Sequence, residues 1–260
     1  MTNLKQVFEN KKAFIPFVVS DDPDFQTTVD SIVTLAENGA DIVELGIPFS
    51  DPVADGPVIQ AADLRAFDAG VNTNVVFDIV TKAREKTDVP IIFLTYLNIA
   101  FKYGYEAFCQ RCQSLNITGL VIPDLPYEES DELQPIAEKY GIDLIPLIAP
   151  TSGDRIEKIA KKATGFIYMV SSLGVTGVRN DFSKQLQDTI ERIKKVTDVP
   201  VAIGFGIHSP EQAAELSRIS DGIIIGSAVV KIIANSDGNT QKDLADYAQS
   251  IKEAISVTVK

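Results

Sequence analysis

Short runs rich in β-branched and aromatic residues recur along the chain at 13–19, 41–46, 91–95, 119–122, 143–148, 165–170, 201–203 and 222–225. Between them the apolar positions shift from a period of two to a helical period. In 24–38, Val29, Ile32, Val33 and Ala36 fall on one face and Gly39 follows as a stop signal, which predicts an amphipathic helix. Stretches 99–115, 183–196 and 241–256 also read as helices, the last following the eighth strand. Strand and helix alternate throughout, which implies parallel strands joined by crossover helices. Eight such units in a chain of 260 residues predict a closed (β/α)8 TIM barrel, one domain over 1–260, with an open doubly wound sheet as the alternative. No Pro/Gly/Ser linker or internal repeat divides the chain.

Two segments break the rhythm. After the second strand, 47–57 holds three prolines, Asp51, Asp55 and Gly56; after the sixth, 171–182 carries Gly174 and Gly177 as hinges of a candidate lid. Barrels of this kind work at the C-terminal ends of their strands, so residues at strand ends are the candidates. In 41–46 the period of two sets Ile42, Glu44 and Gly46 against Val43 and Leu45, and if the latter face helices Glu44 points inward. No Lys or Arg in the predicted strands could pair with it, and a dehydrated carboxyl with a raised pKa suits proton transfer. Asp55 either caps the helix that begins near Pro57 or serves the chemistry. Tyr168 shares a strand face with Phe166 and Val170, where its hydroxyl could orient Glu44 or simply fill the core. Gly204-Phe205-Gly206 after strand seven and Gly226-Ser227 opening the helix 228–233 after strand eight stand where such barrels hold a phosphate.

Composition narrows the field. With 36 Asp+Glu against 24 Lys+Arg the net charge is -12, which argues against nucleic acid or anionic membrane as partner. No apolar run approaches a membrane span, and the first twelve residues carry charges where a signal peptide needs an apolar segment, so a cytoplasmic location is expected. Cys109 and Cys112 have C-x-x-C spacing but read as mid-helix, away from the helix start that would activate a thiol. The single histidine, His208, precedes the helix-start signature Ser209-Pro210-Glu211, so a hydrolytic triad and a structural zinc site are both disfavoured.

The run 44–60, ELGIPFSDPVADGPVIQ, is long and specific, and it resembles the signature of the tryptophan synthase alpha chain family. Phe14-Ile15-Pro16-Phe17, 120–126, Gly174-Val175-Thr176-Gly177, 204–207 and 226–233 extend the resemblance, in order, over nearly the whole chain. The resemblance implies a (β/α)8 barrel that cleaves indole-3-glycerol phosphate to indole and glyceraldehyde 3-phosphate. It needs no cofactor of its own and passes indole to a pyridoxal-phosphate-dependent beta chain in an alpha2-beta2 assembly. It also implies Glu44 as general acid/base, Asp55 as the carboxylate facing the indole N–H, and Tyr168 as a tyrosine beside the catalytic Glu. Phe17, Ile59, Leu94, Val121 and Phe205 would line the indole slot. Gly177, Phe205, Gly206, Gly226 and Ser227 would form the phosphate loops, with Thr176 in the lid. Ser172 departs from the pattern, standing where family members often carry arginine. Two other readings stay open: another phosphate-binding barrel of amino-acid biosynthesis, or a non-catalytic regulatory subunit.

Overall fold

The computed structural model describes residues 3–171, 179–204, 206–235 and 238–256. Thr176, Gly177 and Phe205 of the expected site, together with Ser172 and Gly174, lie outside the described residues. The strands are β1 (Ala13–Val19), β2 (Val43–Gly46), β3 (Ile91–Leu94), β4 (Ile117–Val121), β5 (Asp143–Leu144), β6 (Leu147–Ile148), β7 (Ile167–Val170), β8 (Val201–Gly204) and β9 (Gly222–Ile225). Every described pairing is parallel, in the order β5-β4-β3-β2-β1-β9-β8-β7-β6.

The two ends of that order, β5 and β6, are halves of one predicted strand, 143–148. The Ile145 N–H donates to the Leu120 carbonyl at 2.9 Å on one side, and the Pro146 carbonyl accepts from the Tyr168 N–H at 3.0 Å on the other. The ring is therefore closed, with eight staves, and the doubly wound alternative falls. The interruption sits at Pro146, which has no N–H to give to a ladder.

Alternation along the strands sorts the core. Ile15, Ile42, Ile92, Val121, Ile145, Phe166, Tyr168, Ala202 and Ile224 fill the barrel interior, while Val43, Leu45, Ile91 and Phe93 pack outward into the layer of helices. A short helix, Leu4–Val7, brings Leu4 and Phe8 into the interior cluster, with the Phe8 ring 5.5 Å from that of Phe166. These contacts lie at the strand N-termini and plug the end opposite the expected site.

Several boundaries differ from expectation. β2 begins at Val43 rather than at 41, because the Asp41 carboxylate is taken up by the Phe14 N–H at 2.8 Å, Lys11 at 2.6 Å, and Lys252 of the last helix, Thr240–Ser256. β4 begins at Ile117, two residues early. The helix expected over 99–115 is two helices, Leu97–Tyr103 and Tyr105–Ser114, broken at Gly104, whose φ of 91° is left-handed. The helix after β7 starts at Arg179, within the stretch read as a lid. Cys109 and Cys112 are free, buried thiols in mid-helix, as their position implied. Among the described residues no helix is long and apolar enough to cross a membrane.

Candidate active site

Parallel register stacks the candidate residues in rungs near the C-terminal rim. Phe17, Glu44 and Ile92 stand side by side on one rung; Val19, Gly46, Leu94 and Val121 form the next. The Glu44 residue is 1% exposed, and among the described residues neither carboxylate oxygen has a hydrogen-bond partner. Burial pushes its pKa up to about 8, with the nearby Asp55 charge adding to the rise. At neutral pH this side chain is mostly a neutral acid, able to give its proton at a modest cost and favoured to take one back.

Asp55 ends the loop after β2, directly before the helix Pro57–Ala69. That helix is capped by Gly56 with no side-chain hydrogen bond, so Asp55 is not spent on capping it. Its Oδ2 instead accepts the Tyr96 hydroxyl proton at 2.7 Å, while the same hydroxyl oxygen accepts the Ala54 N–H at 3.1 Å. Phe49 stacks on the Tyr96 ring with centroids 4.9 Å apart. One tyrosine thus holds both ends of the proline-rich loop and presents Asp55 to the barrel mouth. Partial burial raises the Asp55 pKa, and the Tyr96 bond pulls it back.

Tyr168, on β7, is buried, and its phenol pKa is raised well above the usual value by burial, then by the charges of Glu44 and Asp55. It lies near Glu44, and among the described residues no hydrogen bond joins the two. The ring crosses the backbone of Gly204: a methyl placed there would stand 2.6 Å from Tyr168 Cε1 and 2.7 Å from its hydroxyl oxygen. Gly204→Ala is expected to displace the ring, to cost about 1–3 kcal/mol of stability, and to lower turnover. Chemical denaturation reads the first effect, and an unchanged midpoint would show that the ring moves aside freely.

Phe17 and Ile59 join Ala62, Ala66 and Val230 in one apolar cluster with Leu94 packed against it, while Val121 belongs to the interior cluster with Tyr168. Of these, Phe17 stands beside Glu44 on its rung. At the candidate phosphate loops Gly206 has a left-handed φ of 78°, and Gly226 caps the helix Ser227–Ala234 without a side-chain bond. The first N–H groups of such a helix lack intrahelical acceptors and favour an anion. His208 lies on the loop, its Nδ1 3.1 Å from the Gly206 carbonyl oxygen. A cavity of about 530 Å³ near Leu125, Tyr127, Arg155 and Lys162 shares none of these residues. We locate the chemistry at the buried carboxyls instead.

Two residues of this site escape sequence reading. Tyr96 lies just past β3, although continuing the inward alternation Ile92, Leu94 would have reached it. Asp63 sits on the buried face of its helix with Ile59, Ala62 and Ala66, a charged residue where the helical period demands an apolar one.

The fold and the buried acids define a class: a (β/α)8 barrel equipped for proton transfer at its C-terminal rim. A family model described as tryptophan synthase alpha chain matches residues 1–258. The tryptophan synthase alpha chain of Lacticaseibacillus casei is 63% identical over 255 residues, 98% of this chain and 96% of that one. That of Lactiplantibacillus plantarum is 57% identical over 256 residues, covering 98% and 97%. The crystal structure of tryptophan synthase subunit alpha from Legionella pneumophila superposes with a TM-score of 0.88 at 33% identity, over 98% of this chain and 99% of that one. A ligand-free tryptophan synthase structure from M. tuberculosis gives 0.88 at 29% identity, covering 98% and 99%. This chain belongs to the tryptophan synthase alpha chain family, carbon–carbon lyases that cleave indole-3-glycerol phosphate in tryptophan biosynthesis.

Proposed function

We propose that Glu44 carries both proton transfers of that cleavage and that Asp55 balances the charge it creates. The observation that carries this reading is the Glu44 carboxyl, buried, unpartnered among the described residues and protonated near neutrality. Glu44 first gives its proton to C3 of the indole ring, and positive charge develops at the ring nitrogen. The Asp55 carboxylate, fixed by Tyr96, faces that charge. Glu44 then takes the proton of the side-chain hydroxyl; the carbon–carbon bond breaks, its electron pair returns to the ring, and the hydroxyl carbon becomes the aldehyde of glyceraldehyde 3-phosphate. The proton count closes on Glu44 as it began.

These steps are proton transfers, for which the chain's own side chains suffice, and in this reading no cofactor is held here. Phe17, Ile59, Leu94 and Val121 surround the indole ring. Backbone N–H groups at Gly206, Gly226 and Ser227 receive the phosphate. The partner is a pyridoxal-phosphate-dependent beta chain in an alpha2-beta2 assembly in the cytoplasm. Its docking face includes Val53, 81% exposed on the loop that carries Asp55, and Phe101, 65% exposed on the helix after Tyr96. Asp51 is exposed on the same loop, and Pro52 is half-buried.

The purified chain is expected to release indole and glyceraldehyde 3-phosphate in equal amounts from indole-3-glycerol phosphate, and faster when saturated with its beta chain. No release under either condition would overturn the reading. Asp55→Asn is expected to lower kcat by about 10²-fold to 10³-fold, the scale of losing a preorganised charge stabiliser. A change confined to KM would make Asp55 a binding residue.

A further inference from the structure

Asp63 is the buried acid that this mechanism leaves without a task. It is 6% exposed and shares the inward stripe of its helix with Ile59, Ala62 and Ala66, apolar side chains that pack with Phe17 and Val230. The charged and polar groups of its own helix and of the neighbouring elements pair elsewhere, are exposed, or are themselves acids. Arg65, two residues on, spends its guanidinium on a two-pronged bond to Asp22, at 2.7 and 2.9 Å, in the loop after β1. Tyr96 spends its hydroxyl proton on Asp55. From the helix Ser227–Ala234, packed on the same face, the charged residue is Lys231, which is exposed. Asp21 and Asp24 of the β1 loop add only negative charge; Asp24 caps the helix Phe25–Glu37. Asp63 therefore has neither cation nor hydrogen-bond donor among the described residues, and it lies within the fields of Asp55 and Asp22.

A carboxyl so placed keeps its proton more readily than either neighbour. Burial, then Asp55 and Asp22, push its pKa to about 7. The Tyr96 hydroxyl, which donates to Asp55, favours the charged form of that partner. Were both ionised, the repulsion would act between a residue fixed on a helix and one carried by a loop, and the loop would yield.

We propose that Asp63 is a positioning residue for the proposed reaction: as a neutral acid on the rigid helix it leaves Asp55 as the lone anion of the pair, in place beneath the indole nitrogen, and on losing its proton it drives Asp55 out of line. The inference rests on the role proposed above for Asp55.

The test compares kcat/KM for indole release by wild type and Asp63→Asn, which keeps the shape of the neutral acid and has no proton to lose. The ratio of variant to wild type cancels the titrations of Glu44 and of the substrate phosphate. It is expected to rise between pH 6 and pH 8, by up to roughly tenfold for one ionisation centred near 7. In parallel, carbon-13 NMR of aspartate-labelled protein is expected to show a carboxyl titrating near pH 7 that is lost in Asp63→Asn, with thermal unfolding confirming that the variant is folded. A ratio flat within twofold, or an Asp63 carboxyl titrating in the ordinary aspartate range, overturns the proposal. If wild type releases no indole at all, the proposed reaction fails instead, and the NMR titration alone decides the state of Asp63.

Discussion

Glu44→Gln is expected to lower kcat for indole release by at least about 10²-fold to 10⁴-fold, the range for removing a general acid/base, while binding of a substrate analogue stays close to wild type. The amide keeps the size of the side chain and removes the titratable proton. Its surroundings make the expectation sharp: Phe17 and Ile92 flank it on the rung, and no other carboxyl is placed on that rung to substitute. Asp55 stands nearby but is tied to Tyr96. Calorimetry with a non-cleavable analogue separates binding from turnover. More than a tenth of wild-type kcat remaining would show that the proton travels by another route.

The same substitution is expected to make the protein more stable at alkaline pH. Glu44 has a pKa raised from 4.5 to about 8 in the folded chain. Between those values the native state binds a proton that the unfolded state has lost, so folding stability is fully present below 4.5 and falls as pH rises through 8. The glutamine variant has no such loss, since an amide does not ionise. The stability difference between variant and wild type should therefore grow from pH 4.5 to pH 8.5, reaching on the order of 4 kcal/mol. Denaturant unfolding at pH 5 and pH 8.5 measures it. A difference that stays constant with pH would mean that Glu44 is not held protonated by burial. A residue whose removal stabilises the fold and destroys turnover is present for its chemistry.

Most of the architecture was legible because periodicity reports burial. All eight predicted strands exist, and the alternation that placed Glu44 opposite Val43 and Leu45 is the one observed. The details that failed have local causes. Pro146 splits the fifth strand without opening the ring, since its carbonyl still accepts from the Tyr168 N–H. Asp41 looks like a strand start until its carboxylate is seen to tie the last helix, through Lys252, to the bottom of β1. Glu44 and Asp55 were legible one at a time, whereas Asp63 and the coupling among the three acids were not. The Tyr96–Asp55 bond joins residues 41 positions apart. The isolation of Asp63 depends on Arg65 turning to Asp22, which no spacing announces.

The central claim, that Glu44 delivers a proton to indole C3, is tested most directly by running the reaction in deuterium oxide. A carboxyl proton exchanges with solvent before substrate binds, so the proton delivered to C3 becomes a deuteron. Mass spectrometry and proton NMR of the product should show indole carrying one deuterium at C3 from the wild-type chain, and no deuterated indole above background from Glu44→Gln with substrate bound. Indole released by wild type with hydrogen at C3, or deuterium entering C3 at an undiminished rate in Glu44→Gln, would contradict the account.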